Sequence, residues 1–278
     1  MDKTNSLPYN PLVSIALASY NGEKFIRQQL DSILKQTYED IEVIVSDDGS
    51  TDATISILDE YSKGDKRISY SKNPAPRGFK KNFERAILLC KGEIIFLCDQ
   101  DDVWSENKIE EHLKVYKDKK INWVYNTVRL IDNAGKDIGL LTDRIPDYYF
   151  KRSLFVNSGG GCILGCATSY RAECIKNIWP IDDIAPSHDS WIQMAIYPAQ
   201  SFHVNMILQD YRQHEDNIFG VFKKPVITDR DEDIRRNIQY QKNNSRNKLF
   251  VGWKRLYFFF LYFIKTIKNK LRILKRLA

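Results

Sequence analysis

Three carboxylates fall within four positions at Asp99, Asp101 and Asp102, directly after the apolar run Ile94-Ile95-Phe96-Leu97-Cys98. Like charges so crowded repel one another and are costly to take out of water, so the cluster needs open solvent or a cation. Carboxylate oxygens suit a hard divalent ion, Mg2+ or Mn2+. Asp99 and Asp101 share one side of an extended backbone, where both can face one ion or one metal-bound phosphate. The plainer alternative is a solvated Asp-rich turn leading into a helix near Ser105. Other groups capable of chemistry are Asp47-Asp48-Gly49-Ser50, the turn Ser19-Tyr20-Asn21-Gly22, Asp189 and His214. Asp189 also suits the first turn of a helix capped by Ser187, where the helix dipole favours a carboxylate. His214 reads either as a solvated imidazole or as a contact to metal or phosphate.

These residues need strands to bring them together. Residues 12–18 form a first apolar run, and Phe25, Ile26, Gln29, Leu30, Ile33 and Leu34 then recur at helical spacing to about Lys35. Residues 41–45 predict a second strand, 52–61 a helix capped by Thr51 or Asp52, and 68–71 a short strand. After a Pro/Gly turn, 82–90 predict a helix that leads into the 94–98 run, a strand buried on both faces. Such alternation means βαβ units and a parallel sheet, with the carboxyl ends of its strands on one edge. Ligands of open α/β sheets bind at that edge. Three strand tips there carry Tyr20-Asn21, Asp47-Asp48 and the acid cluster. No Gly-x-Gly-x-x-Gly or Walker loop follows a strand, so a phosphate-bearing ligand would be held through a metal.

The second half is less regular. Residues 123–131 predict a strand, and Asp132-Asn133-Ala134-Gly135 a hairpin turn into 136–141. Residues 143–157 read as a loop, and Gly159-Gly160-Gly161 as a close backbone approach or a hinge. A strand is expected over 162–170, a short helix over 171–178, a helix from Pro186 and a strand over 204–208.

The 278 residues suffice for one α/β domain and an appendage, and 43% hydrophobic with 28% charged is ordinary for a soluble protein. Residues 1–11 lack the apolar stretch of a secretory signal. Five cysteines with no Cys-x-x-Cys pair imply reduced thiols in the cytosol rather than a zinc site. Thirteen of the 42 basic residues follow Asp233, while none of the 36 acidic ones does. The body to residue 233 thus carries 29 basic against 36 acidic side chains, a net of −7. A basic tail on an acidic body argues for an anionic surface such as a membrane, not for nucleic acid.

In its motifs the chain resembles the family 2 glycosyltransferases of GT-A fold over residues 12–217. The likeness rests on Val13-Ser14-Ile15 through Tyr20-Asn21-Gly22, Val45-Ser46-Asp47-Asp48-Gly49-Ser50-Thr51-Asp52, Cys98-Asp99-Gln100-Asp101-Asp102-Val103-Trp104, Gly165-Cys166, His188-Asp189 and Tyr211-Arg212-Gln213-His214. The Asp-Gln-Asp-Asp-Val-Trp, His-Asp-x-Trp and Tyr-Arg-Gln-His forms look most like the bacterial rhamnosyltransferase branch of surface-polysaccharide synthesis. The resemblance implies an α/β, Rossmann-like, mostly parallel sheet flanked by helices, with a nucleotide-binding half at 12–104 and an acceptor half at 105–228. It implies a dTDP- or UDP-sugar donor, a glycan or lipid-linked acceptor and Mg2+ or Mn2+. Ser19, Tyr20, Asn21, Asp47 and Asp48 would hold the nucleotide; Asp99 and Asp101, helped by Asp102, would bind metal and diphosphate, joined by His214 and Arg212. Asp189 would deprotonate the acceptor hydroxyl. The family usually has a Glu-Asp pair there, so either His188 or Asp189 takes the proton, with Asp189 favoured. One base and one metal-assisted leaving group imply inversion, so a β-linked dTDP-L-rhamnose would give an α-linked product. The family often has a proline after Trp104, where this chain has Ser105-Glu106-Asn107. A pyrophosphorylase would need a Gly-rich basic loop after the first strand, and none is there. A scaffold or carbohydrate-binding protein without turnover is the alternative from another class.

The tail, 229–278, holds nine basic residues after position 247 around Leu256-Tyr257-Phe258-Phe259-Phe260-Leu261-Tyr262-Phe263-Ile264. Nine apolar residues fall well short of the roughly 20 that span a bilayer. With Ile267, Leu271, Leu274 and Leu277 they predict an amphipathic helix on the inner face of the plasma membrane, making the protein cytoplasmic and peripheral. The alternative is packing on the catalytic domain or on a second subunit, as in a homodimer.

Overall fold

The computed structural model describes residues 9–217 apart from 75–77, 141–162, 176, 183–184, 186, 197–198 and 216. The expected loop at 143–157, the glycine triplet and the tail lie outside the described residues. By internal contacts the chain divides into Met1–Ile181 with Pro186–Pro225, and Asp182–Ala185 with Val226–Ala278. Every element below belongs to the first unit.

Strands β1 (Val13–Ser19), β2 (Ile41–Asp47) and β4 (Ile94–Cys98) are almost continuously buried, as their unbroken apolar sequence requires. With β3 (Ile68–Lys72) they form a parallel block in the order β3-β2-β1-β4. The connecting helices are α1 (Ile26–Leu34), α2 (Thr54–Gly64) and α3 (Phe79–Leu89). On α1, Ile26, Leu30 and Ile33 share one stripe and join the strands in the main core. The chain runs outward from β1 to β2 and β3, then returns to place β4 on β1's other side. That reversal opens a crevice at the carboxyl ends of β1 and β4, the place where ligands enter such sheets.

Beyond β4 the sheet becomes mixed. It continues through β8 (Thr168–Arg171), β6 (Trp123–Ile131), β9 (Ser201–Arg212) and β5 (Val103–Trp104), while β7 (Asp137–Leu140) pairs with β6. The β4–β8, β8–β6, β6–β7 and β5–β9 pairings are antiparallel and β6–β9 is parallel. Helices α4 (Lys108–Tyr116), α5 (Ala172–Ile175) and α6 (His188–Ala195) complete the described elements.

Four expectations need correcting. The strand expected over 162–170 is a 3-10 turn at Gly165–Ala167 followed by the short β8, and Thr168 Oγ1 closes that turn on the Gly165 carbonyl at 2.5 Å. The helix expected near Ser105 starts at Lys108, because Val103–Trp104 first pair with β9. Strand β9 runs to Arg212, past the expected end at 208, because β6 pairs with it through Ile131 and Arg212. Neither Thr51 nor Asp52 is the N-cap of α2; that position is Ala53, although Asp52 Oδ1 accepts from Thr54 N–H at 3.0 Å.

Candidate active site

The tips of β1, β2 and β4 are held together by side-chain amides and carboxylates. Gln100 clamps β4 to β1: its Oε1 accepts from Tyr20 N–H at 2.8 Å and its Nε2 donates to the Tyr20 carbonyl at 3.0 Å. Asn82 of α3 donates to the Ser19 carbonyl at 3.0 Å and accepts from Asn73 at 2.7 Å. Asp47 is wholly buried and spends both oxygens internally. Its Oδ1 accepts from Gly49 and Ser50 N–H at 2.9 and 2.8 Å, and its Oδ2 from the Ser19 and Ser50 hydroxyls at 2.9 and 2.5 Å. Asn21, at φ +47°, accepts from Thr51 N–H at 2.9 Å and so ties the β1 turn to the same loop. In this structure Ser19, Asn21 and Asp47 therefore shape the crevice rim.

Two groups on that rim have capacity left. Asp48 Oδ2 accepts from Gly78 N–H at 2.7 Å, but its Oδ1 is buried with no hydrogen-bond partner. A buried carboxylate oxygen left alone is costly, so a ligand N–H or O–H is its natural complement. Tyr20 is 54% exposed and presents an open aromatic surface.

The acid cluster splits into three environments. Asp102 is fully buried: Oδ2 accepts from Gln209 Nε2 at 2.6 Å and Oδ1 from Arg212 N–H at 3.1 Å. Asp101 Oδ2 lies 2.7 Å from His214 Nε2 and accepts from Asn217 at 3.2 Å. Asp99 is half-buried, and loss of hydration, with the charges of Asp101 and Asp189, pushes its carboxyl up to about 7. Burial also drives Asp102 upward, and Lys108 behind the cluster down to about 8.

Asp99, Asp102 and the Cys166 thiol offer ligand atoms within 4.8 Å of one another. The Asp102 oxygens are already engaged, and burial holds the Cys166 thiol protonated, so that trio suits Mg2+ or Mn2+ poorly. The carboxylate oxygens of Asp99 and Asp101 have the chemistry that suits a hard cation, and in this structure His214 Nε2 is paired with Asp101 Oδ2. Two carboxylates two residues apart after β4 are the donor chemistry that fits such an ion, since a cation would offset their mutual repulsion. Arg212 has a different setting from the expected diphosphate contact. Its guanidinium donates to the carbonyls of Asp101 at 2.9 Å, Asp132 at 3.1 Å and Asn133 at 3.2 Å, and to Gln28 at 2.7 Å. It also lies 4.7 Å over the Phe25 ring, which packs 5.1 Å from His214. At the end of β9, beyond the strand expected over 204–208, Arg212 is buried away from water.

Asp189 opens α6, which Ser187 caps through Ser190 N–H at 3.3 Å. Its Oδ1 meets the Ser187 hydroxyl and accepts from Ser190 N–H at 2.8 Å, and its Oδ2 accepts from Gly165 N–H at 3.2 Å. The capping arrangement and the site-facing one hold together, because Gly165, which donates to Asp189, adjoins Cys166, whose thiol lies within 4.8 Å of an Asp99 oxygen. A Cβ at Gly165 would meet His188 Nε2 at 2.8 Å and Asp189 Cβ at 3.2 Å, so the turn must be glycine to approach α6. His188 stacks on Phe83 at 3.7 Å with neither ring nitrogen hydrogen-bonded, and burial lowers its pKa.

With the crevice and its acids in place, residues 14–179 match the profile of Glycosyl transferase family 2. The chain belongs to that family. Among curated family relatives, it is 33% identical over 155 residues to the UDP-Glc:alpha-D-GlcNAc-diphosphoundecaprenol beta-1,3-glucosyltransferase WfgD of Escherichia coli, covering 55% of this chain and 58% of that protein. The chain spans about a third to just over half the length of the first curated relatives it matches. Its fold is similar to that of Staphylococcus aureus TarS 1–349 in complex with UDP-GlcNAc, with a TM-score of 0.63 at 18% identity over 86% of this chain and 69% of that one. The mannosyltransferase PcManGT of Pyrobaculum calidifontis, in complex with GDP-Man and Mn2+, gives 0.60 at 18% identity over 76% and 59%. The expected GT-A architecture is therefore the one present.

Three residues that hold this crevice together carry no signal of that role in the sequence. Gln100 stands in the sequence motif with no role of its own. Gln209 lies more than a hundred residues further along the chain and reaches the cluster only through β9, whereas Lys108 follows the cluster closely and turns back to it as the first residue of α4. The lysine gave a misleading signal, since a charged residue at a helix start usually faces water.

Proposed function

We propose that this protein transfers a sugar from a nucleoside-diphosphate sugar to a hydroxyl of a lipid-linked or polysaccharide acceptor, with inversion and with Mg2+ or Mn2+. The observation that carries this reading is the convergence of carboxylates from separate elements: Asp99, after β4, lies within 4.8 Å of the Cys166 thiol, and the amide of the adjoining Gly165 holds Asp189 of α6 at 3.2 Å. Tyr20 offers a face for the base, and Asp48 Oδ1 an acceptor for a base N–H or ribose hydroxyl. Asp99, Asp101 and His214 would hold the metal, while Asp102 and Arg212 fix the turn that presents them.

When bound, Mg2+ or Mn2+ would neutralise the charge that develops on the departing diphosphate. Asp189 takes the acceptor hydroxyl's proton as the new C–O bond forms. The bond from the anomeric carbon to the diphosphate oxygen breaks on the opposite face, and its electron pair leaves with the diphosphate. A single displacement of this kind inverts the anomeric centre. Gly165 N–H and Ser190 N–H orient the Asp189 carboxylate for that task.

The printed name of WfgD includes a diphosphoundecaprenol acceptor, which favours a lipid-linked acceptor here. A basic tail over 229–278 lying on the inner leaflet would bring the catalytic part, 1–228, to such a substrate. The motif forms of the rhamnosyl branch put dTDP-L-rhamnose among the donors to try. Among the described residues no helix is long and apolar enough to cross a membrane. The test is release of nucleoside diphosphate from UDP-Glc, UDP-GlcNAc, GDP-Man and dTDP-rhamnose with Mn2+. Turnover of one donor by the wild type, and its loss in folded Asp101→Ala and Asp189→Ala, is expected; full turnover by either variant removes that residue from the mechanism.

A further inference from the structure

Lys108, the first residue of α4, is completely buried although it carries a charge. Its ammonium has three donors and three acceptors around it: the Cys166 carbonyl at 2.9 Å, Gln209 Oε1, and the face of Trp104 with the ring centroid 3.9 Å away. An ammonium so enclosed has its geometry fixed, because losing any partner leaves a costly unpaired group.

Two chains of hydrogen bonds leave it. In the first, the ammonium occupies Gln209 Oε1 and so turns Nε2 toward Asp102 Oδ2, 2.6 Å away. Asp102 Oδ1 then accepts from Arg212 N–H, and Arg212 Nε donates to the Asp101 carbonyl. This arm ends on the turn that presents Asp99 and Asp101. In the second, the ammonium holds the Cys166 carbonyl within the 3-10 turn Gly165–Ala167. The amide of Gly165 in that turn donates to Asp189 Oδ2 at 3.2 Å.

We propose that Lys108 is a positioning residue: its buried ammonium fastens the acid-bearing turn at 99–102 and the turn that orients Asp189 to one point, setting the distance between the metal side and the base side. The inference rests on the proposed sugar transfer and adds to it a residue that touches neither metal nor substrate. Displacing either side by about 1 Å is enough to cost on the order of 100-fold in rate. Residues that orient metal ligands are worth about 10–100-fold in metal affinity.

Two variants separate the arms. Gln209→Leu cuts the arm to Asp102 and leaves the Cys166 carbonyl on the ammonium, whereas Lys108→Met has a similar volume and cuts both. Each full-length protein is assayed for UDP binding without metal, for Mn2+ binding with UDP present, and for hydrolysis of UDP-GlcNAc at saturating Mn2+; circular dichroism checks the fold. Both variants are expected to keep metal-free UDP affinity and to bind Mn2+ at least about tenfold more weakly. Lys108→Met should also lose at least about tenfold in kcat at saturating Mn2+, and clearly more than Gln209→Leu. A merely structural lysine would lower melting temperature without this split between metal affinity and kcat. If Lys108→Met does not fold, Gln209→Leu and Gln209→Glu still must weaken Mn2+ binding. Wild-type Mn2+ affinity in the folded Gln209 variants, or wild-type kcat in folded Lys108→Met, overturns the inference and leaves the proposed function standing. UDP is replaced in these assays by dTDP or GDP if the wild type binds one of those instead, and a wild type that binds none of the three with Mn2+ sinks both.

Discussion

Asp189 shows how a single carboxylate serves local structure and proposed chemistry together. Its Oδ1 closes the first turn of α6 and its Oδ2 is held by Gly165 N–H, so its orientation is fixed before any acceptor arrives. Replacing it with Asn keeps the shape but removes the base; kcat should fall by about 100-fold or more, while the affinity for nucleoside diphosphate stays within about twofold. Unchanged kcat would move the base elsewhere, with His188 the next to examine. Gly165→Ala tests the same contact from the other side. A methyl group 2.8 Å from His188 Nε2 and 3.2 Å from Asp189 Cβ must push α6 away. That should lower stability by about 1–3 kcal/mol, seen in denaturant melts, and reduce kcat more than the affinity for donor. The types of these residues were legible in the sequence, but their partners were not. The two oxygens of Asp47 look identical in sequence to those of Asp48, yet only the structure shows four donors on one carboxylate and an orphan oxygen on the other.

Elements decide which of those side chains meet. The parallel block β3-β2-β1-β4 was readable because its strands are apolar runs separated by helices of regular spacing. The register within it depends on close packing that sequence periodicity does not report. Gly92, just before β4, is an example: a Cβ there would meet the Leu12 carbonyl and Ser14 N, both at 2.6 Å. Backbone atoms in a sheet cannot step aside cheaply. Gly92→Ala should therefore cost about 2–3 kcal/mol, read as a lower melting temperature, and no loss would mean that β1 and β4 are less tightly paired than described. The second half was read less well for a physical reason. Strand β9 pairs with β5 across more than a hundred residues and with β6 across about eighty, so short or polar segments such as Val103–Trp104 and Tyr211–Arg212 become strands only in that company. The 3-10 turn at Gly165–Ala167 likewise depends on the α6 helix beside it. Lys108 and Gln209 stayed hidden for the same cause.

Across the whole molecule, buried titratable groups couple stability to pH in opposing directions. His112, packed between Ser169 Oγ at 2.8 Å and Asn126 Oδ1 at 3.2 Å, is held well below its usual pKa by burial, and His188 is lowered as well. The folded protein keeps these rings neutral while the unfolded chain takes up protons below about pH 6.5, so stability is full above that pH and falls as pH drops. Asp99, raised to about 7, acts the other way. The unfolded carboxyl ionises near pH 4, so this group's contribution is full below that and lost as pH rises toward 7. His112→Gln should flatten the acid-side loss between about pH 5 and 6.5 by roughly 1 kcal/mol per pH unit, measured by denaturant melts; an unchanged slope would mean the ring is not buried neutral. The Asp99 contribution makes a second statement, since a bound cation would remove the penalty of ionising it near neutrality.

The central claim is that the carboxylates at this sheet edge hold one divalent cation against a nucleoside diphosphate. Calorimetric titration of UDP, dTDP and GDP into the full-length protein, with and without Mn2+, tests it most directly. The account predicts that at least one nucleotide binds at least about tenfold more tightly with Mn2+, and that Asp99→Asn and Asp101→Ala each abolish the difference. Equal affinity with and without Mn2+ in the wild type, or a metal effect that survives both substitutions, would contradict it.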